Sequence, residues 1–256
     1  MIYKIVNVYM AVFLLMLMMV AGLNGCSPEA GPDQEVNEEL KPLENQNDSA
    51  KEKEVNEAVS LPEIDLNNKT TVSEVLYERL SRRDYTVHSL NLAQVGDLLW
   101  AAGGLGVDGV SGATRTAPSA GGAYPLDIYL VAGNVDGLGK GVYRYDYEAH
   151  SLEAVVAEER RDQLAAAALG QQFIAKAPIS IVMVAHYERT TSTYGERGER
   201  YVHMDTGYVS QNIYLKAEAL DLGTVAIGAF DDEEVAEVLS TEGAPLMIMP
   251  IGVPEQ

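Results

Sequence analysis

From Leu61 onward, apolar and polar positions follow two periods, one helical and one strand-like. Thr71-Val72-Ser73-Glu74 has capping-box spacing ahead of apolar Val72, Val75, Leu76 and Leu80, which predicts an amphipathic helix over 72–82. A second helix is predicted over 92–102, stopping at Gly103-Gly104. A glycine-rich loop then runs to about Pro125, followed by strands over 126–131 and 142–145. An alanine-rich helix over 158–169 is closed by Gly170, and the apolar run from Ile179 to Val184 reads as a buried core strand. The longest helix is expected over 199–222, ending at Gly223, with a strand at 225–227. Asp231-Asp232 caps a short helix through Leu239, and a last strand covers 246–251. Helices and strands mix without regular βαβ alternation, so the expected class is α+β.

Upstream of this domain the pattern changes twice. The first 25 residues carry one charge, Lys4, and an apolar run from Ile5 to Leu23, the composition of a targeting segment. The run ends in Leu23-Asn24-Gly25-Cys26, which resembles the bacterial lipobox. That resemblance implies cleavage after residue 25, a lipid on Cys26 and an extracytoplasmic, membrane-anchored protein. Residues 26–60 hold ten acids, three lysines and no aromatic, too little apolar surface to order themselves, and read as an acidic disordered tether. The folded domain is then 61–256.

Charge and thiol count narrow the chemistry. The chain of 256 residues has a net charge of −20, which argues against nucleic acid as a partner because phosphate backbones are repelled. A single cysteine excludes an intrachain disulfide and cysteine-based metal clusters. The four histidines, His88, His150, His186 and His203, have no metal-ligand spacing, so no metal site is expected.

Three segments lack an obvious packing purpose. Arg79, Ser81, Arg82 and Arg83 gather three guanidinium groups and a hydroxyl, suited either to a phosphate or to surface carboxylates. Arg115-Thr116-Ala117-Pro118-Ser119-Ala120-Gly121-Gly122-Ala123-Tyr124-Pro125 is small enough for backbone amides to approach a flat polar ligand. Gly223 to Phe230 forms another small-residue turn. Neither a P-loop nor a strand-linked G-x-G-x-x-G is present, so triphosphate and Rossmann sites are not indicated.

Together with Y-E-R-T, Y-G-E-R-G-E-R-Y, Q-N and G-A-F-D-D, these segments resemble the nitroreductase superfamily, and within it the branch of SagB-type and thiazole-forming oxidases. The resemblance covers Leu61 to Gly252 and implies an α+β sandwich that binds FMN at a homodimer interface. It further implies that Arg79, Ser81 and Arg83 hold the flavin phosphate and ribityl end. Pro118, Ser119 and Gly122 would lie along the ring, and Ile227, Gly228 and Ala229 would turn backbone amides toward flavin N5. Gln211 and Asn212 match a Q-N pair of the family. Its basic residue after P-[VI]-G is replaced by Val253, and the K-Y pair of azoline oxidases by Thr193-Tyr194. Threonine is too weakly basic to abstract a proton, which discounts thiazole or oxazole formation and leaves Tyr194 as a substrate-facing donor or a packed surface tyrosine. Asp108 to Thr114 resembles the D-x-x-[ST]-G-A-T sequence at which flavin transferases attach FMN covalently to the threonine. The expected function is therefore a tethered, ping-pong FMN oxidoreductase acting on a small molecule. A binding module that kept the fold but lost catalysis is the competing expectation.

Overall fold

The computed structural model describes residues 58–66, 70–106 and 115–255, all within the compact unit Lys53–Gln256. The signal segment, Cys26, nearly all of the tether and the 108–114 acceptor-like sequence with Thr114 lie outside the described residues.

The framework is a seven-stranded sheet with every neighbouring pair antiparallel. Its strands are β1 (Val59–Ser60), β3 (Leu126–Ala132), β5 (Gly141–Asp146), β6 (Ser151–Val156), β7 (Ile179–Ala185), β8 (Gly223–Thr224) and β9 (Ala244–Gly252). They lie in the order β1-β6-β5-β3-β7-β9-β8. The short β2 (Leu90–Asn91) and β4 (Val135–Asp136) pair separately and in parallel. β1 places Val59 and Ser60 in the sheet, opposite Leu152 and Ser151.

Both faces of the sheet are covered. On one, α2 (Leu92–Gly103) and α6 (Arg197–Ala219) bury Val95, Leu98, Val202, Val209 and Ile213 against Ile128, Leu130, Ile181 and Met183. On the other, α3 (Arg161–Ala167), α4 (Phe173–Lys176) and α7 (Asp232–Leu239) bury Leu164, Ile174, Val235 and Leu239 against Tyr129, Val131, Val182 and Val184. Alternate residues of β3 and β7 thus feed two different cores, which is why both strands are apolar apart from Asp127 and Ser180. The mixed composition and antiparallel sheet make the fold α+β.

Several boundaries shift for identifiable reasons. α1 (Val72–Glu78) has the expected Thr71/Glu74 capping box, but ends four residues before the predicted limit because Arg79 turns extended and Ser81 bridges Thr224 of β8. α6 is capped at Leu220, with Asp221 left-handed at φ 56°, rather than at Gly223. Gly223 is needed elsewhere, because a Cβ there would lie 2.8 Å from the Arg82 side chain. The strand expected at 225–227 is instead β8 followed by one isolated bridge, Ile227 to Ile248. α5 (Glu188–Tyr194), sequence ERTTSTY, carries no apolar period and is not legible as a helix.

Candidate functional site

The end of α1 places the first segment. Arg79 leaves the helix with extended backbone and Ser81 bridges Thr224, so the segment runs beside β8 and α6. Arg82 turns inward, where its Nη2 pairs with Glu218 at 3.0 Å and its backbone N–H donates to the Thr224 carbonyl. Arg79 and Arg83 form no ion pair with any described carboxylate; Arg79 lies 5.2 Å over the Tyr214 ring and Arg83 6.0 Å over Phe173. In a chain with twice as many acids as bases, two guanidinium groups that avoid carboxylates keep their charge for something else. Of the two readings of this segment, carboxylate pairing therefore holds for Arg82 alone.

Tyr214 joins the first segment to the third. Its hydroxyl lies 2.9 Å from Ser81 Oγ and accepts the Ala226 N–H at 2.8 Å. In the turn that follows, the Ile227 N–H donates to the Ile248 carbonyl at 2.9 Å, so the expectation that it faces a ligand is corrected: the bridge to β9 consumes it. The amides of Gly228 and Ala229 have no acceptor among the described residues, and both positions are exposed. A Cβ on Gly228 would meet nothing within 4 Å, which leaves the turn open above the chain.

The ring loop, 115–125, is anchored differently. Ser119 Oγ donates to Asp205 Oδ2 at 2.6 Å and accepts the Tyr124 N–H at 2.9 Å, so its hydroxyl fastens the loop. Asp205 lies inside α6 and is 4% exposed; burial raises its pKa, against the lowering effect of the Ser119 and Ala120 hydrogen bonds. Sequence reasoning missed it, although an aspartate among the apolar positions of a long helix is a poor helix former and a usable signal. Asn212, two turns on and on the same side, donates through Nδ2 to the carbonyls of Ala101 and Thr116, each at 3.1 Å. It therefore positions the loop, while Gln211 is exposed on the outside of α6. Pro118 and Gly122 are exposed on the loop. The Arg115 guanidinium is stacked between the rings of Tyr147 and Tyr124, 3.5 and 4.4 Å from their centroids.

Tyr194 ends α5 directly over this loop. Gly121 has φ 60°, and a Cβ there would come within 2.5 Å of the Tyr194 hydroxyl. The Tyr194 ring meets Tyr201 edge to face at 5.1 Å. α5 is held by Asp127 of β3, which accepts from Arg189 Nη1 at 2.7 Å and pairs with His186 Nε2 at 3.0 Å. Burial opposes ionisation of Asp127, but Arg189 and His186 outweigh it and hold its carboxyl below the usual range. Beside Tyr201 an open cleft of about 290 Å³ is lined by Pro118, Ser119, Ala120, Tyr201, Met204, Asp205 and Tyr208.

These contacts bring the first and third segments together at Tyr214 and fasten the second to α6 through Asp205 and Asn212. Asp205 and Tyr214 are nine residues apart on α6, hence about 13 Å along its axis and half a turn around it. Between the two flanks runs an outer stripe of Met204, Gly207 and Gln211, with Met204 48% exposed.

The sequence model of the Nitroreductase family matches residues 76–253, which takes in all three segments and every strand from β2 to β9. The chain belongs to the nitroreductase family. A Methanocaldococcus jannaschii protein that carries a nitroreductase name is 46% identical over 194 residues, 76% of this chain and 95% of that one. The microcin B17-processing protein McbC of Escherichia coli is 26% identical over 146 residues, 54% of each chain. Among solved structures, a Ralstonia eutropha protein with a nitroreductase name aligns over 78% of this chain and 90% of its own, at 30% identity and a TM-score of 0.68. The NADPH:FMN oxidoreductase of Vibrio harveyi shares the nitroreductase fold at 21% identity and a TM-score of 0.52, over 72% of this chain and 69% of that one.

Proposed function

We propose that this nitroreductase-family chain is an FMN-dependent oxidoreductase that works as a homodimer on a small molecule, tethered outside the cytoplasm through a lipid on Cys26. The observation that carries the flavin assignment is the 79–83 segment. It leaves Arg79 and Arg83 without a carboxylate and is fastened through Tyr214 to the open turn at Gly228 and Ala229. Two unpaired guanidinium groups and a hydroxyl suit a phosphate, and two uncommitted amides suit the polar edge of a flat ring. Bound FMN would supply the two-electron redox step. The protein's own residues hold its phosphate end, present the Pro118–Gly122 loop to the ring, and place the Tyr194 hydroxyl over that loop. Donor and acceptor would use the same face in turn, in ping-pong fashion.

The dimer reading rests on α6, where Asp205 under the ring loop and Tyr214 beside Ser81 lie on opposite flanks. A second copy packed along Met204, Gly207 and Gln211 would set the ring loop of one chain beside Arg79 and Arg83 of the other. Gly207 supports close approach, since glycine on an outer helix face costs about 1 kcal/mol against alanine without another benefit. Reduction of an acceptor is favoured over azoline oxidation because the residue beside Tyr194 is Thr193, which offers no base.

The test is the visible spectrum of the exported protein before and after denaturation and removal of small molecules. Yellow colour that passes into the filtrate is expected for noncovalent FMN. Colour retained by the chain and lost in Thr114→Val would assign covalent attachment at Thr114, and a colourless protein that takes up no added FMN would overturn the flavin assignment in favour of a binding module. Arg79→Ala and Arg83→Ala should each weaken FMN binding about tenfold to a hundredfold, as expected for loss of a charge-assisted contact, measured by quenching of flavin fluorescence.

A further inference from the structure

Asp205 is a buried carboxylate without a counter-ion. No described basic side chain lies within ion-pair distance of it, and Arg115, the one basic residue lining either cavity, lies against two tyrosine rings instead. If the loop needed only a fastener, an asparagine oxygen would accept the Ser119 and Ala120 hydrogen bonds without the cost of burying a charge. Its position is also unusual. Pro118, Ser119 and Asp205 form a wall common to two spaces. One is the open cleft beside Tyr201, Met204 and Tyr208. The other is a narrow inner cavity lined by Ala102, Arg115, Tyr124, Ile128 and Val209, with room for about one or two water molecules.

We infer that Asp205 and Ser119 form a proton relay between the inner cavity and a ligand in the cleft. The inference rests on the proposed oxidoreductase reading for its substrate, an acceptor that takes up a proton as well as electrons. With Asp205 ionised, the Ser119 O–H points back to Oδ2 and Oγ accepts from Tyr124. When Asp205 takes a proton, its O–H donates to Ser119 Oγ and the serine hydrogen is released toward the cleft. The transfer balances as one chain of proton moves. The ligand gains the serine hydrogen, Oγ regains one from Asp205, and Asp205 is left as a carboxylate to be reprotonated from the inner cavity. Burial favours the protonated carboxyl, which makes this state accessible. The other titratable groups on the two cavities are Arg115, Tyr124, Tyr201 and Tyr208. Ser119 would touch the ligand; Asp205 acts through it and is a positioning residue.

The first test needs no flavin. Carboxyl and amide NMR of the full chain should show Asp205 titrating above the ordinary aspartate value of about 3.9, with the Ala120 and Tyr124 amides following the same midpoint. In Ser119→Ala the Ala120 amide should still follow while Tyr124 no longer does. Titration of Asp205 at or below the ordinary value, or a Tyr124 amide that ignores it, overturns the relay. The coupled titration in a chain that never binds FMN would instead overturn the proposed function and leave the relay as a property of the fold. In the flavin-loaded enzyme, Asp205→Asn should lower kcat about a hundredfold with KM little changed and abolish the solvent deuterium isotope effect on kcat. Loss of flavin in step with kcat, with the isotope effect intact, would make Asp205 a loop fastener and overturn the inference.

Discussion

Gly121 shows how much of the ring loop is decided by single residues. Its φ of 60° lies in the left-handed region, and the Tyr194 hydroxyl occupies the space where a side chain would start. Gly121→Ala should therefore destabilise the domain by about 1–3 kcal/mol, partly from backbone strain and partly from the collision. Thermal denaturation of Gly121→Ala in wild-type and Tyr194→Phe backgrounds separates the two: the collision part is relieved without the hydroxyl and the strain part is not. Equal losses in both backgrounds would show that Tyr194 does not rest on the loop. Arg82 makes a related point, since the arginine between the two proposed phosphate ligands is the one that pairs with a carboxylate, Glu218. Counting arginines in the sequence could not separate these roles, whereas the place of Glu218 on α6 does.

At the scale of elements, buried and half-buried ion pairs fix the junctions. Arg161, at the start of α3, donates to both oxygens of Glu159 and through Nη1 to the Ala177 carbonyl at 2.9 Å, tying α3 to the entry of β7. Gly133 is what lets the guanidinium lie against the end of β3, since a Cβ there would overlap it. The Arg161 hydrogen bonds lower the Glu159 pKa from 4.5 to about 2, against a smaller opposing effect of burial. A carboxylate depressed in the folded state contributes stability that is complete above its unfolded pKa and is lost as pH falls through the folded value. The melting temperature should accordingly fall between pH 4.5 and about 2, and Glu159→Gln should lower it at pH 7 while flattening that acid limb. An unchanged slope in the variant would mean that other carboxylates govern acid unfolding. The Asp127 contacts to Arg189 and His186 do the same work for α5, a helix whose polar sequence would not hold it in place.

For the whole molecule, the decisive feature is the straight path of α6 between the two halves of the proposed site. Its inner positions belong to the core, its flanks carry Asp205 and Asn212 on one side and Tyr214 and Glu218 on the other, and its outer stripe is uncovered. Met204→Arg, on that stripe and outside the core, should leave the melting cooperative, shift the protein from dimer to monomer in light scattering, and reduce bound FMN in parallel. A monomeric variant that keeps its flavin would show that one chain suffices. The exposed apolar residues of α1, Val72, Leu76 and Tyr77, lie on the same domain, and only Val75 of that helix is buried.

What the sequence determined by itself were the features that depend on neighbours along the chain. Capping boxes at Thr71 and the cap at Asp231 appear as read, because a cap needs only a residue three positions away. β3, β7 and β9 are found where the sequence pattern placed them, since strands buried on both faces are almost wholly apolar, Asp127 and Ser180 apart. The ordered motifs also led to the nitroreductase family. Tertiary structure alone decided which donors remain available. The Ile227 amide is consumed by β9, Asn212 by Ala101 and Thr116, and the Ser119 hydroxyl by Asp205, each through a partner at least 21 residues away. A hydrogen-bonding group has the same identity in the sequence whether it is committed or not. Its partner is fixed only when distant strands and α6 pack, and that packing sorts the residues that hold the site from those left to meet a ligand.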